Sequence, residues 1–145
     1  MKFAISKEKG KISIEDLPMP EPKQGELLVK MRACGVCGSD IHYYTTGKIG
    51  SQGVQYPFTV GHECAAVVER VGASVTRVKP GDRVVALTRF NAYAERVAVS
   101  AEQAFPIPDA MSFEEAAAIP VNYLTAWQSM FEMGNLRRGD RILIT

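Results

Sequence analysis

All three cysteines and both histidines of this chain lie between residues 34 and 64. Cys34 and Cys37 are separated by two residues. The run Cys37-Gly-Ser-Asp-Ile-His42 then sets a thiol, a hydroxyl, a carboxylate and an imidazole close together, and Gly61-His-Glu-Cys64 adds a second group after a glycine turn. Thiolate sulfur and imidazole nitrogen on separate loops suit Zn²⁺. A CxxC pair alone fits a redox couple, half a zinc site, or two small buried residues. Two ligand sets agree with the spacing. One is a closed structural site of Cys34, Cys37, His62 and Cys64, where an extended backbone would put His62 and Cys64 on one face. The other is Cys37, His62 and one further oxygen or sulfur ligand, which leaves a position open for water or substrate. The plain reading of Cys34 and Cys64 is burial as small apolar residues. For His42 it is an exposed or hydrogen-bonded side chain.

The elements that must position these groups are mainly strands. Lys2 to Ile5 and Lys11 to Glu15 flank Gly10, and the proline-rich 18–22 segment is a connector, because proline fixes φ and lacks a donor. Alternation predicts strands over 26–33, 62–71, 83–87 and 94–99. A short helical piece is predicted near Ser39 to Tyr44, and the glycines of 47–53 predict a mobile loop. Turn residues recurring about every ten positions up to Asp109 point to a barrel or sandwich. Ser112-Phe-Glu-Glu115 is a capping box that opens a helix through Ala118. Pro120 would open a second helix over 121–132 closed by Gly134, and 139–145 reads as a buried strand.

Composition narrows the function classes. The 145 residues are 46% hydrophobic and 23% charged, a globular balance, with a formal net charge of +1. No basic field recruits nucleic acid or an anionic membrane. No apolar run is long enough to span a bilayer, and residues 1–10 do not read as a secretory signal. Three cysteines do not make a disulfide framework, so a reducing, cytoplasmic setting is expected.

The segments ACGVCGSDIH, PFTVGHECAAVVERVGASVTRVKPGDRVV, SFEEAAAIPVNYLTAWQSM and GDRILIT together resemble the N-terminal domain of the zinc-type medium-chain dehydrogenase/reductases, the alcohol dehydrogenase family. The resemblance implies a mainly β fold with a few helices: a GroES-like, partly open β barrel over 1–118. Residues 119–145 would then be a linking helix and the first strand of a truncated nucleotide-binding Rossmann domain, the chain being an N-terminal fragment inactive by itself. It also implies Cys37 and His62 as catalytic zinc ligands, with Glu63 binding the metal directly as in the polyol-dehydrogenase branch. Ser39 would exchange a proton with substrate, His42 would pass it outward, Asp40 would orient the ligand histidine, and Thr125 would lie near the nicotinamide. Bland alternatives stand beside three of these: Ser39 as a helix N-cap, Glu63 facing an arginine, and Thr125 as a residue on a helix face.

Two departures qualify the resemblance. Val121 stands where many members carry a third ligand, and the family's four-cysteine structural zinc lobe is missing from 85–93. The stretch IPVNYLTAWQ is closer to the zinc-independent quinone reductases of the same superfamily. The expected activity is NAD(P)-dependent, zinc-assisted interconversion of a small alcohol with an aldehyde or ketone, in a protein that is a homo-oligomer at full length. The alternatives are zinc-independent quinone or enone reduction and a non-enzymatic GroES-like module.

Overall fold

The computed structural model describes residues 1–144. Ten strands and two α-helices are present among them: β1 (Lys2–Glu8), β2 (Lys11–Asp16), β3 (Glu26–Cys34), α1 (Gly38–Thr46), β4 (Lys48–Ile49), β5 (Gln52–Gly53), β6 (Phe58–Thr59), β7 (Glu63–Val71), β8 (Arg83–Leu87), β9 (Arg96–Ser100), β10 (Ala104–Pro106) and α2 (Phe113–Trp127). The main sheet has the order β10-β8-β7-β3-β9, and a second sheet has the order β2-β1-β6; all pairings are antiparallel. Neither sheet closes on itself, so the mainly β, partly open arrangement expected from the sequence is found.

Alternation decides which face each strand buries. On β7, Cys64, Ala66 and Val68 join Leu27 and Val29 of β3 and Val84 and Ala86 of β8 in the principal core. The opposite face carries Ala65 and Val85, which pack on Ala116 and Ala117 of α2. Alanines on both sides let the helix backbone come close to the sheet. Ser112 caps α2 reciprocally: its Oγ accepts from the Glu115 N–H at 3.1 Å, and the Glu115 carboxylate accepts from the Ser112 N–H at 2.8 Å.

Three expectations are corrected. Pro120 does not start a new helix; it lies inside α2, which runs unbroken to Trp127 and continues as a π-helical turn, Gln128–Met133. Pro120 is buried within α2, and packing of Ala116 and Ala117 on the sheet offsets the lost backbone bond, a penalty of about 3 kcal/mol in an exposed helix. The glycine loop of 47–53 folds as the small β4–β5 hairpin, with Gly47 in the left-handed region (φ 73°) closing α1. Residues 141–144 form no strand, and Ile142, Leu143 and Ile144 are exposed. Among the described residues no strand flanks them to complete their backbone hydrogen bonds. Thr145, the last residue of that predicted strand, lies outside the described residues.

Candidate metal centre

The site forms where β3 runs out into the 35–37 turn and β7 begins. Cys37 precedes the first turn of α1, and Asp40 turns back to accept a hydrogen bond from the Cys37 N–H at 3.1 Å. The same carboxylate accepts from the Gly61 N–H at 3.1 Å. Its Oδ1 lies 3.6 Å from His62 Nδ1, a nitrogen that is buried and without a hydrogen bond. Asp40 is itself 5% exposed. It therefore holds the two loops that carry Cys37 and His62 in fixed relation, and it faces the ring nitrogen directed away from Ser39.

On the other side of the ring, His62 Nε2 is 3.3 Å from Ser39 Oγ. Ser39 is not the helix cap; Cys37 occupies that position and Ser39 lies within the first turn. His42 is exposed one turn further on, and its side chain makes none of the described hydrogen bonds. Tyr43, four residues after Ser39, packs its ring 5.1 Å from Phe58, which in turn lies 4.9 Å from Phe90. Thr125 is exposed near the end of α2.

Cys37, His62 and Glu63 come together, each offering one ligand atom within 4.8 Å of the others. A tetrahedral zinc shell has edges of about 3.5 Å, so holding a zinc ion would require the more widely spaced of these atoms to draw in. Glu63 is 5% exposed, yet its carboxylate enters none of the described hydrogen bonds or ion pairs. Gly35 makes room for it: a Cβ there would sit 2.4 Å from Glu63 Oε2. One thiolate, one imidazole and one carboxylate, with the carboxylate unpartnered, suit zinc with a position left open.

The other two cysteines stand apart from this group. Cys64 is fully buried, its Sγ 3.3 Å from the Ala86 carbonyl, and burial raises its thiol to about 11. Cys34 is raised to about 12, first by burial and then by the charges of Cys64 and Asp40. Val121 is half-buried on α2 and offers no donor.

Tyr93 is a site residue that sequence reasoning missed. Its hydroxyl lies 3.2 Å from both the Gly35 carbonyl and Asp40 Oδ2, sharing one proton between them. Its ring covers Gly61, where a Cβ would meet it at 2.5 Å, and Gly61 also has φ 89°. Burial and the Asp40 charge push its hydroxyl well above the ordinary tyrosine range, so it stays a donor. Nothing near residue 93 in the sequence signals this; only the sheet topology brings it there.

Residues 23–109 match the alcohol dehydrogenase GroES-like domain. The chain belongs to that family. Mouse synaptic vesicle membrane protein VAT-1 homolog-like is 41% identical over 134 residues, covering 92% of this chain and 32% of that protein. Sorbitol dehydrogenase of Bacillus subtilis is 37% identical over 147 residues, covering 82% of this chain and 42% of the relative. The crystal structure of the human VAT-1 homolog-like protein superposes with a TM-score of 0.89 at 39% identity, covering 96% of this chain and 45% of that one. Escherichia coli quinone oxidoreductase complexed with NADPH superposes with a TM-score of 0.81 at 26% identity, covering 92% and 41%. The chain thus spans about a third to under half of the length of these relatives. It has the catalytic-domain fold of medium-chain dehydrogenase/reductase oxidoreductases. Among the described residues no helix is long and apolar enough to cross a membrane.

Proposed function

We propose that this domain holds one catalytic zinc through Cys37, His62 and Glu63 and serves NAD(P)-dependent interconversion of a small alcohol with its aldehyde or ketone. The observation that carries the reading is the convergence of one ligand atom each from Cys37, His62 and Glu63 within 4.8 Å of one another, with no hydrogen bond or ion pair engaging the Glu63 carboxylate. The likeness to sorbitol dehydrogenase supports the reaction class. Bound there, zinc supplies a Lewis acid for the substrate oxygen, and the nicotinamide supplies the hydride acceptor. Asp40 orients the His62 ring from its Nδ1 side. Ser39 Oγ, beside Nε2, takes the proton of the substrate hydroxyl, and His42, one helical turn outward, releases it to solvent. Tyr43, Phe58 and Phe90 give an apolar wall one turn along α1 from Ser39. Thr125 contacts the nicotinamide once the nucleotide-binding unit is in place. In this reading 1–118 is the catalytic unit, and 119–145 links it to that nucleotide-binding unit.

The test is oxidation of simple alcohols with NAD and with NADP by the full-length protein, stripped of metal and then reloaded with zinc. Turnover should follow zinc and vanish with Cys37→Ser. The second reading, zinc-independent quinone reduction, is favoured by Val121 at the usual third-ligand position and by the likeness to the quinone oxidoreductase. Quinone turnover with NADPH in the metal-stripped protein, without alcohol oxidation in the reloaded one, would overturn the zinc assignment.

A further inference from the structure

The metal group uses Cys37 and leaves two thiols unexplained, and the sheet register sets those two opposite each other. Cys34, the last residue of β3, pairs with Cys64, the second residue of β7. The Gly35 N–H donates to the Glu63 carbonyl at 2.7 Å, the bond that flanks a non-hydrogen-bonded pair in an antiparallel ladder. At such pairs the Cα atoms stand about 4.5 Å apart and the side chains lean toward one another. A disulfide requires a Cα separation of about 4.4–6.8 Å, so the backbone already has the spacing. Both side chains face the same core: Cys64 belongs to the principal cluster, and Cys34 packs against it. Their accessibility differs, since Cys34 is partly exposed and Cys64 is 0% exposed.

We propose that Cys34 and Cys64 are a modification site: a cross-strand dithiol that hydrogen peroxide closes to a disulfide, leaving Cys37 free. Cys34, the partly exposed member of the pair, is oxidised first, in a slow step that takes excess peroxide because burial keeps its thiol protonated. Its sulfur attacks one peroxide oxygen; the S–O bond forms, the O–O bond breaks, and the thiol proton leaves with the departing oxygen as water. The Cys64 sulfur then attacks the Cys34 sulfur; the S–S bond forms, the S–O bond breaks, and the hydroxyl leaves with the Cys64 proton as a second water. Each sulfur is oxidised by one electron, and the peroxide takes both. The bond would tie together the two strand ends from which Cys37 and His62–Glu63 emerge. Because neither cysteine belongs to the Cys37, His62 and Glu63 group, the inference stands apart from the proposed metal reading.

Zinc-loaded and metal-free protein are each treated with hydrogen peroxide, quenched, denatured, and assayed for free thiols and by peptide mapping. Free thiols should fall from three to one per chain, with a Cys34–Cys64 peptide as the linked species and reversal by dithiothreitol. In Cys64→Ala no intramolecular link should form, and Cys34 should stop at a sulfenic acid trappable by dimedone. A Cys34–Cys37 link as the main product would overturn the proposal. So would three free thiols after a treatment that oxidises exposed methionines.

Discussion

Gly35→Ala tests the metal centre at a residue that donates nothing to it. A methyl group there would lie 2.4 Å from Glu63 Oε2 and 3.2 Å from Glu63 Cβ. Ordinary contact begins near 3.4–3.5 Å, so the carboxylate must retreat by about 1 Å. Gly35 does not have positive φ, so alanine fits the backbone; the carboxylate end of Glu63 must swing away, and its Cβ must give by a few tenths of an ångström. The variant should therefore stay folded, with stability of the metal-free form within about 1 kcal/mol of the parent. Metal binding should respond in the opposite sense. Partners that merely orient a ligand are worth about 10–100-fold in affinity, so displacing a ligand by that distance should cost at least about tenfold, or about 1.4 kcal/mol. Competition against a chromophoric chelator gives the zinc and cobalt affinities, and thermal melting of the metal-free forms gives stability. A folded Gly35→Ala protein that binds metal as tightly as the parent would refute the placement of Glu63 among the ligands.

Tyr93→Phe removes one hydroxyl from Asp40 and Gly35; metal affinity should fall about two- to tenfold, the worth of one hydrogen bond, and unchanged affinity would make Tyr93 a packing residue only. Ser112→Ala opens the α2 capping box and should lower stability by about 1 kcal/mol in denaturant titration without altering metal affinity. Cys34 and Cys64 have folded pKa values raised to about 12 and about 11 from 9.0, so the unfolded chain loses these protons first. Their contribution to stability is complete below about pH 9 and is lost as pH rises through the folded values. Melting temperature under reducing conditions should decline over that alkaline window, and Cys34→Ser/Cys64→Ala should flatten the decline.

The strands were legible because one face of each is buried: the alternation in 26–33 and 62–71 is the same alternation that sends Cys64, Ala66 and Val68 to the core and Ala65 to α2. Ser112 and Glu115 also act locally and were readable as a capping box. The local rule at Pro120 is overridden by the packing of Ala116 and Ala117 on a sheet that the neighbouring sequence does not reveal. Ile142, Leu143 and Ile144 carry a strand pattern, but a strand needs a partner, and pattern alone does not supply one. At the site, residue types pointed to Cys37 and His62 with the further ligand left open, the family resemblance named Glu63, and the fold brings these three together. Tyr93 was invisible because its role comes from the return of the chain toward Gly61 and Gly35, a purely tertiary effect.

The central claim is a single open zinc site of one sulfur, one nitrogen and carboxylate oxygen. X-ray absorption on the zinc-loaded protein, with metal content per chain, tests it directly. The account predicts one zinc per chain with a single sulfur at about 2.3 Å and nitrogen or oxygen neighbours at about 2.0–2.2 Å, and loss of the metal in Cys37→Ser and Glu63→Gln but not in Cys34→Ser. Two or three sulfurs in the shell, or loss of zinc with Cys34→Ser, would contradict it.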